Sequence, residues 1–254
     1  MKQNKNTSWG KVANWYDSHL GDDNTYHAQV IAPNLLRVVD LKPTESLLEL
    51  GCGQGYFLNL FSNVSKNLKG IDLGRELIKI ARTKNKDIDF IFANAENQSI
   101  LKDKNGSFDA ITIILALQNM KNLSAVVKNI SRLMKDNGRA VIVLNHPAFR
   151  IPQSSSWGRD EKEKIQYRRV DEYMSEVEKK IDMTPGKSKD KQFTFSYHRP
   201  LQVYSKAFAK EDLTIVKIEE WISHRKSENG PWAKAEDKSR KEIPLFMCLV
   251  LKKI

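Results

Sequence analysis

The stretch Leu47-Leu48-Glu49-Leu50-Gly51-Cys52-Gly53-Gln54-Gly55 constrains this chain more than any other. A short apolar run enters three glycines at alternate positions, and the helical pattern Tyr56–Phe61 follows. Glycine is needed where the backbone turns tightly and a ligand must lie against it with no Cβ between. A strand, such a loop and a helix make the opening unit of an α/β sheet, with ligands bound beyond the carboxyl ends of the strands.

The rhythm continues downstream. Leu68–Asp72, Ile88–Ala93, Phe108–Ala116 and Arg139–Asn145 read as strands, with helices at Glu76–Lys84 and Ser124–Met134 between them. The run Phe108–Ala116 (FDAITIILA) has the β-branched, unalternating profile of a strand buried on both faces. Five such units predict a mainly parallel, doubly wound sheet. A helix at Leu201–Ala209 and strands at Leu213–Trp221 and Leu245–Leu251 bring the sheet to seven strands. Between them, residues 146–199 break the rhythm with Pro147, Pro152, Pro185 and a serine run around one charged stretch, Asp160–Ile181, that reads as helical. The expected organisation is one domain with four parts: a helical cap over 1–44, a ligand-binding half over 45–145, a lid insertion over 146–199, and closing helix and strands over 200–254.

The glycine spacing narrows the ligand. A dinucleotide fingerprint has glycine at the first, third and sixth places; here the sixth place is Tyr56, and the fifth, Gly55, is glycine. No Gly-Lys-Ser/Thr follows, so the phosphate loop of nucleotide triphosphatases is excluded too. Asp72 closes the second strand in Gly70-Ile71-Asp72, where a carboxylate can accept hydrogen bonds from both hydroxyls of a ribose. Asn94-Ala95-Glu96 follows the third strand, where an adenine ring would lie.

With these motifs the chain resembles the class I S-adenosylmethionine-dependent methyltransferases over about residues 45–145. ELGCGQG is similar to the family's glycine motif, GID to its ribose-binding motif, ANAEN to its adenine-binding stretch, and MKDNGRAVIV to the turn into its fifth strand. The resemblance implies a Rossmann-like fold whose last strand runs antiparallel to the rest. It also implies S-adenosylmethionine as cofactor, held by Glu49, Gly51, Cys52, Gly53, Asp72, Leu73, Asn94, Ala95 and Glu96, with Leu115 and Gln118 on the sulfonium side. At position 94 the family often carries Asp; the Asn here keeps a carbonyl that can accept the same hydrogen bond. The expected activity is methyl transfer to a small or medium organic acceptor by in-line displacement. An RNA or protein substrate, or a non-catalytic cofactor-binding role, is the alternative.

Residues outside the shared core supply the rest of the expected site. The aromatic N-terminal segment, with Tyr16 and Tyr26, is expected to fold over the cofactor. His146 leaves the fifth strand at the ligand edge, and an imidazole there is a candidate general base. In the lid, Phe149, Trp157 and Tyr167 offer apolar surface to an acceptor, and Tyr197 and His198 form a polar cluster where the domain resumes. Arg150, Arg159, Arg168, Arg169 and Arg199 are candidates to hold a carboxylate or phosphate through paired hydrogen bonds.

Composition sets the remaining bounds. The net charge of +11 invites nucleic acid, but the excess is spread along the chain and interleaved with acids. A nucleic-acid footprint concentrates on one face, so a small-molecule partner is expected instead. The two cysteines, Cys52 and Cys248, lie in unrelated segments and suggest neither a disulfide framework nor a metal site. The start is polar, with no leader-like apolar core, and the longest apolar run is too short to span a bilayer. A cytoplasmic protein that needs no metal is the expectation.

Overall fold

A computed structural model describes residues 23–183 and 193–254; Tyr16 and the neighbouring aromatics of the cap lie outside the described residues. The centre is a seven-stranded sheet. Its strands are β1 (Leu47–Leu50), β2 (Leu68–Asp72), β3 (Asp89–Phe92), β4 (Phe108–Ile114), β5 (Met134–Asn145), β10 (Leu213–Trp221) and β11 (Phe246–Lys253), in the spatial order β10-β11-β5-β4-β1-β2-β3. Neighbours from β5 to β3 pair in parallel, while β11 is antiparallel to both β5 and β10. The expected seven-stranded, mostly parallel sheet with an antiparallel last strand is therefore present.

The central strands are buried on both faces, and their side chains alternate between two apolar layers. Ile111 and Ile113 of β4, Ile142 and Leu144 of β5, and Leu249 and Leu251 of β11 enter one layer. Ala110, Ile114, Val141, Val143, Cys248 and Val250 enter the other. This follows from the period of two along a strand, which sends neighbours to opposite faces.

Helices close each layer. On the first face lie α4 (Leu123–Leu133), whose start is capped by Asn122 accepting from the Ala125 N–H at 3.0 Å, and α5 (Leu201–Lys210), which buries Tyr204 and Phe208. On the second lie α1 (Ala32–Val39), the short α2 (Tyr56–Asn59) and α3 (Arg75–Lys84). A further helix, α6 (Ala233–Glu242), was not anticipated. Its only buried residue is Ser239, so it carries almost no apolar stripe to be read.

The winding reverses between β1 and β4, because the chain runs outward from β1 through β2 to β3, then returns to start β4 on β1's other side. The carboxyl ends of these two strands flank a crevice, the place where ligands bind in open α/β sheets.

The insertion corrects the reading of Asp160–Ile181 as helix. It is built of two antiparallel hairpins, β6 (Ser155–Asp160) with β7 (Ile165–Val170), and β8 (Val177–Asp182) with β9 (Phe193–His198). Along β7, exposure alternates strictly, as in a strand with one covered face. The covered face carries Gln166 and Arg168, while Ile165 and Tyr167 point outward. An inverted polar alternation of this kind gives no apolar period to read. The first hairpin packs on α6 and the second on the 3₁₀ turn Leu117–Asn119 that follows β4. Among the described residues, no helix is long and apolar enough to cross a membrane.

Candidate active site

Gly51, Gly53 and Gly55 all adopt positive φ, at 78°, 55° and 80°. For two of them the reason is close approach. A Cβ on Gly51 would lie 2.6 Å from the Ala116 Cβ, and one on Gly55 would lie 2.6 Å from the Phe90 ring. A Cβ on Gly53 would meet nothing within 4 Å, so its α-carbon faces open space. The loop is fastened to β2, with the N–H groups of Gly51 and Cys52 both donating to the Ile71 carbonyl at 2.7 and 3.0 Å.

Asp72 ties this loop to the start of α3. One carboxylate oxygen accepts from the Gly53 N–H at 2.9 Å and the other from the Gly74 N–H at 2.6 Å. Burial raises its pKa above the usual carboxylate value, against these two hydrogen bonds. Each oxygen keeps a lone pair for a further donor.

The loop is poorly equipped for pyrophosphate. Its N–H groups at 51, 52 and 53 are engaged as described, and that of Gly55 donates to the Cys52 carbonyl at 2.9 Å. A nest of free backbone donors, which phosphate binding needs, is missing from these four positions.

Glu49 lies beneath the loop, only 1% exposed. The Leu58 N–H is the hydrogen bond that stabilises its carboxylate, while Oε2 has no partner. Burial, with the negative charge of Asp72 nearby, pushes its pKa well above the usual range. A buried carboxylate oxygen without a donor is costly, and a ligand ammonium would satisfy it.

The third strand's loop forms the opposite wall. Asn94 Oδ1 accepts from the Glu96 N–H at 2.9 Å, so this Asn first shapes its own turn. Glu96 in turn accepts from the Lys121 N–H at 2.8 Å. Asn129, fully buried on α4, donates to the Ala95 carbonyl at 2.8 Å and the Asn97 carbonyl at 3.0 Å. Arg132 holds the Ile100 carbonyl at 2.6 Å and Asn129 Oδ1 at 3.1 Å. Sequence reasoning missed these two supports. The available signal was Asn129 itself, a polar residue in the apolar stripe of Val126, Ile130 and Leu133.

These walls enclose a cleft of about 150 Å³. Of the expected cofactor residues, Gly51, Gly53, Asp72, Leu73, Asn94, Ala95, Glu96 and Leu115 line it. Ile71, Leu77, Ala93 and Met120 also line it and were not anticipated. Leu115 has φ of +51°, uncommon for a branched side chain. It is held there by its N–H to the Val143 carbonyl at 2.8 Å and by Gln118 Nε2 donating to its carbonyl at 2.9 Å. Gln118 thus supports the rim through the backbone of Leu115. Cys52 is buried beside Gly70, where burial raises its thiol pKa.

Other expected contacts lie elsewhere. Tyr26 packs edge-on to His224 and Phe246 and shares a 3.3 Å hydrogen bond with Ser223. His146 is 6% exposed and does not line the cleft. Its Nε2 meets Glu220 at 2.7 Å, and its Nδ1 accepts from the Ala148 N–H at 3.2 Å. An Nδ1 that accepts leaves the proton on Nε2, donated to Glu220. Burial lowers its pKa more than Glu220 raises it, which favours the neutral ring. Tyr197 and His198 line an adjoining hollow that shares Glu96 with the cleft, and His198 Nε2 is bonded to the Tyr173 carbonyl at 2.8 Å. Phe149, Arg150 and Trp157 gather around His146 and β6, so the expected acceptor residues fall into two groups. Tyr167 is 47% exposed on the outer face of its hairpin, over Gly158.

What this arrangement can do is bind a nucleoside. Asp72, with lone pairs to spare, stands on the cleft wall, Glu49 is buried beneath the loop, apolar side chains line the rest, and the bare backbone of Gly53 faces open space. Among the described residues no cluster of His, Cys, Asp and Glu is arranged to hold a metal.

Comparison with known proteins agrees with this geometry. A family model described as a methyltransferase domain matches residues 24–180. The demethylmenaquinone methyltransferase of Lactococcus lactis is 34% identical over 115 residues, which cover 42% of this chain and 44% of the relative. A ubiquinone biosynthesis O-methyltransferase of Thiobacillus denitrificans is 30% identical over 115 residues, 42% of this chain and 49% of the relative. The matched segment thus spans less than half the length of these curated relatives. Among solved structures, the S-adenosylmethionine-dependent methyltransferase of Mesorhizobium loti shares the fold with a TM-score of 0.69 at 19% identity, covering 91% of this chain and 99% of that one.

Proposed function

The chain belongs to the methyltransferase domain family, and from that premise we propose that it is an S-adenosylmethionine-dependent enzyme acting on a small or medium organic acceptor by in-line displacement. The observation that carries the reading is the pair of carboxylates around the glycine loop: half-buried Asp72, fixed by two backbone donors yet able to accept more, and fully buried Glu49, with one oxygen unpartnered.

The bound cofactor would supply a methyl group made electrophilic by a sulfonium centre. The chain's own task is to hold and to exclude. Asp72 would accept from both ribose hydroxyls, Glu49 would take the amino-acid ammonium, and Leu73, Leu77 and Ala95 would pack about the base. The open face of Gly53 admits the ligand against the backbone. The hairpins β6–β7 and β8–β9 would cover the acceptor and keep water out.

The Lactococcus and Thiobacillus relatives are named for demethylmenaquinone and for ubiquinone biosynthesis. Phenolic quinone precursors are therefore the first acceptor class to test. Methyl-labelled S-adenosylmethionine offered with a panel of such phenols should yield label in the organic phase only when a phenol is present. No transfer to any phenol, carboxylated ones included, would count against this class.

His146, neutral and bonded on both ring nitrogens, reads as an anchor between the end of β5 and β10. In the same assay His146→Ala should lower Tm, since a buried hydrogen bond is worth about 1 kcal/mol and an orphaned partner costs more. Its kcat should stay within about threefold, far short of the loss of roughly 100-fold or more that removal of a general base brings. A collapse of kcat with unchanged Tm would restore the general-base role instead.

A further inference from the structure

Five arginines of the insertion could have held an anion, and the structure separates them. Arg159 pairs with Glu236 at 2.7 Å and Arg169 with Asp171 at 2.9 Å. Arg199 donates to the Met120 and Lys121 carbonyls at 2.9 and 2.8 Å. Arg150 and Arg168 differ. Both guanidinium groups stack on the same ring, that of Trp157, at 5.5 and 5.2 Å from its centroid.

Neither has an acidic partner among the described residues. Arg168 is held by neutral oxygens, donating from Nε to the Phe149 carbonyl at 2.8 Å and from Nη2 to Ser155 Oγ at 2.7 Å. Arg150 Nε is buried and has no hydrogen-bond partner at all. Burial and the neighbouring charge of Arg168 push the Arg150 pKa down to about 10, so it remains a cation at neutral pH at a cost to the fold. Two like charges, partly desolvated and uncompensated, are destabilising unless something negative joins them.

Their place in the fold gives the pair a use. The Arg150 N–H donates to the His146 carbonyl at 2.8 Å, in the turn that leaves β5. β5 lies beside β4, and Leu115, on the cleft's rim, is bonded to Val143 of β5. The arginines therefore stand over the same sheet edge as the cleft.

We infer that Arg150 and Arg168, braced on Trp157, form an anchor for an oxyanion group, a carboxylate or a phosphate, so that the methyl acceptor is an anionic small molecule. The anchoring of an anion follows from the arginine pair alone; its assignment to the acceptor rests on the methyltransferase reading above. A planar guanidinium offers paired donors that match either group.

The test uses the full chain at constant ionic strength, with inorganic phosphate and 4-hydroxybenzoate as probes, read by calorimetry and thermal unfolding. One probe should bind and raise Tm, and the tighter of the two identifies the group. Arg150→Met and Arg168→Gln should each weaken that binding at least tenfold while leaving affinity for S-adenosylhomocysteine within twofold. Arg150→Met should also raise the Tm of the free protein, because it removes one of two repelling charges; an arginine with a purely structural role would not do this. Absence of binding by both probes, or affinities unchanged in both variants, overturns the anchor. Loss of S-adenosylhomocysteine binding by the unaltered protein would instead overturn the cofactor reading and leave the anion result standing by itself.

Discussion

Asp72→Ala is expected to weaken S-adenosylhomocysteine binding by about 100-fold or more. Two hydrogen bonds from ribose hydroxyls to a charged acceptor, at roughly 1.5–3 kcal/mol each, account for a loss of that size. The geometry adds a second consequence. Asp72 also accepts from Gly53 and Gly74, so its removal leaves two backbone donors without a partner and loosens the loop from α3. Tm should therefore fall as well. Asp72→Asn, which keeps one carbonyl oxygen but turns an N–H₂ toward one of those donors, should fall between the two. If Asp72→Ala bound the nucleoside as well as the parent protein, ribose recognition would have to be sought elsewhere.

Gly51→Ala and Gly53→Ala should fail in different ways, although they are two residues apart in one loop. At Gly51 the added Cβ meets a positive φ and the Ala116 Cβ at 2.6 Å, with the Met120 methyl at 3.1 Å. Strain of about 1–2 kcal/mol for the backbone joins overpacking of about 1–3 kcal/mol. Against a total stability of roughly 5–15 kcal/mol, Gly51→Ala should show a large drop in Tm. At Gly53 the new methyl meets no protein atom, only the cleft. Gly53→Ala should therefore lose only the backbone strain, about 1 kcal/mol, yet bind S-adenosylhomocysteine at least tenfold more weakly. Equal effects of the two on Tm, with binding intact, would mean that the cofactor does not lie against Gly53.

The cofactor half of the molecule was readable because local signals and tertiary placement agree there. β1, β4 and the 140–144 part of β5 are buried on both faces, so they read as mainly apolar runs without alternation, and the glycines mark the turn after β1. Contacts made at long range were not readable. His146 follows β5 at the ligand edge, as its sequence position suggests, but which way its ring faces depends on its N–H bonding to Leu245 and on Glu220 of β10. The two strands it leans toward come about 75 and 100 residues later in the chain, and no local pattern announces them. The insertion was misread for a related reason. Its hairpins turn polar side chains such as Gln166 and Arg168 inward, and a pattern with charged residues on both faces looks like a solvated helix. That inward arginine is the same feature that distinguishes the proposed anion anchor.

The most direct test of the central claim is calorimetric titration of the purified protein with S-adenosylhomocysteine and S-adenosylmethionine, with NAD as the comparison. The account predicts one site per chain, micromolar affinity for both sulfur ligands, loss of that affinity in Asp72→Ala, and no heat from NAD. Binding of NAD in preference to the sulfur ligands, or no binding of any of the three, would contradict it.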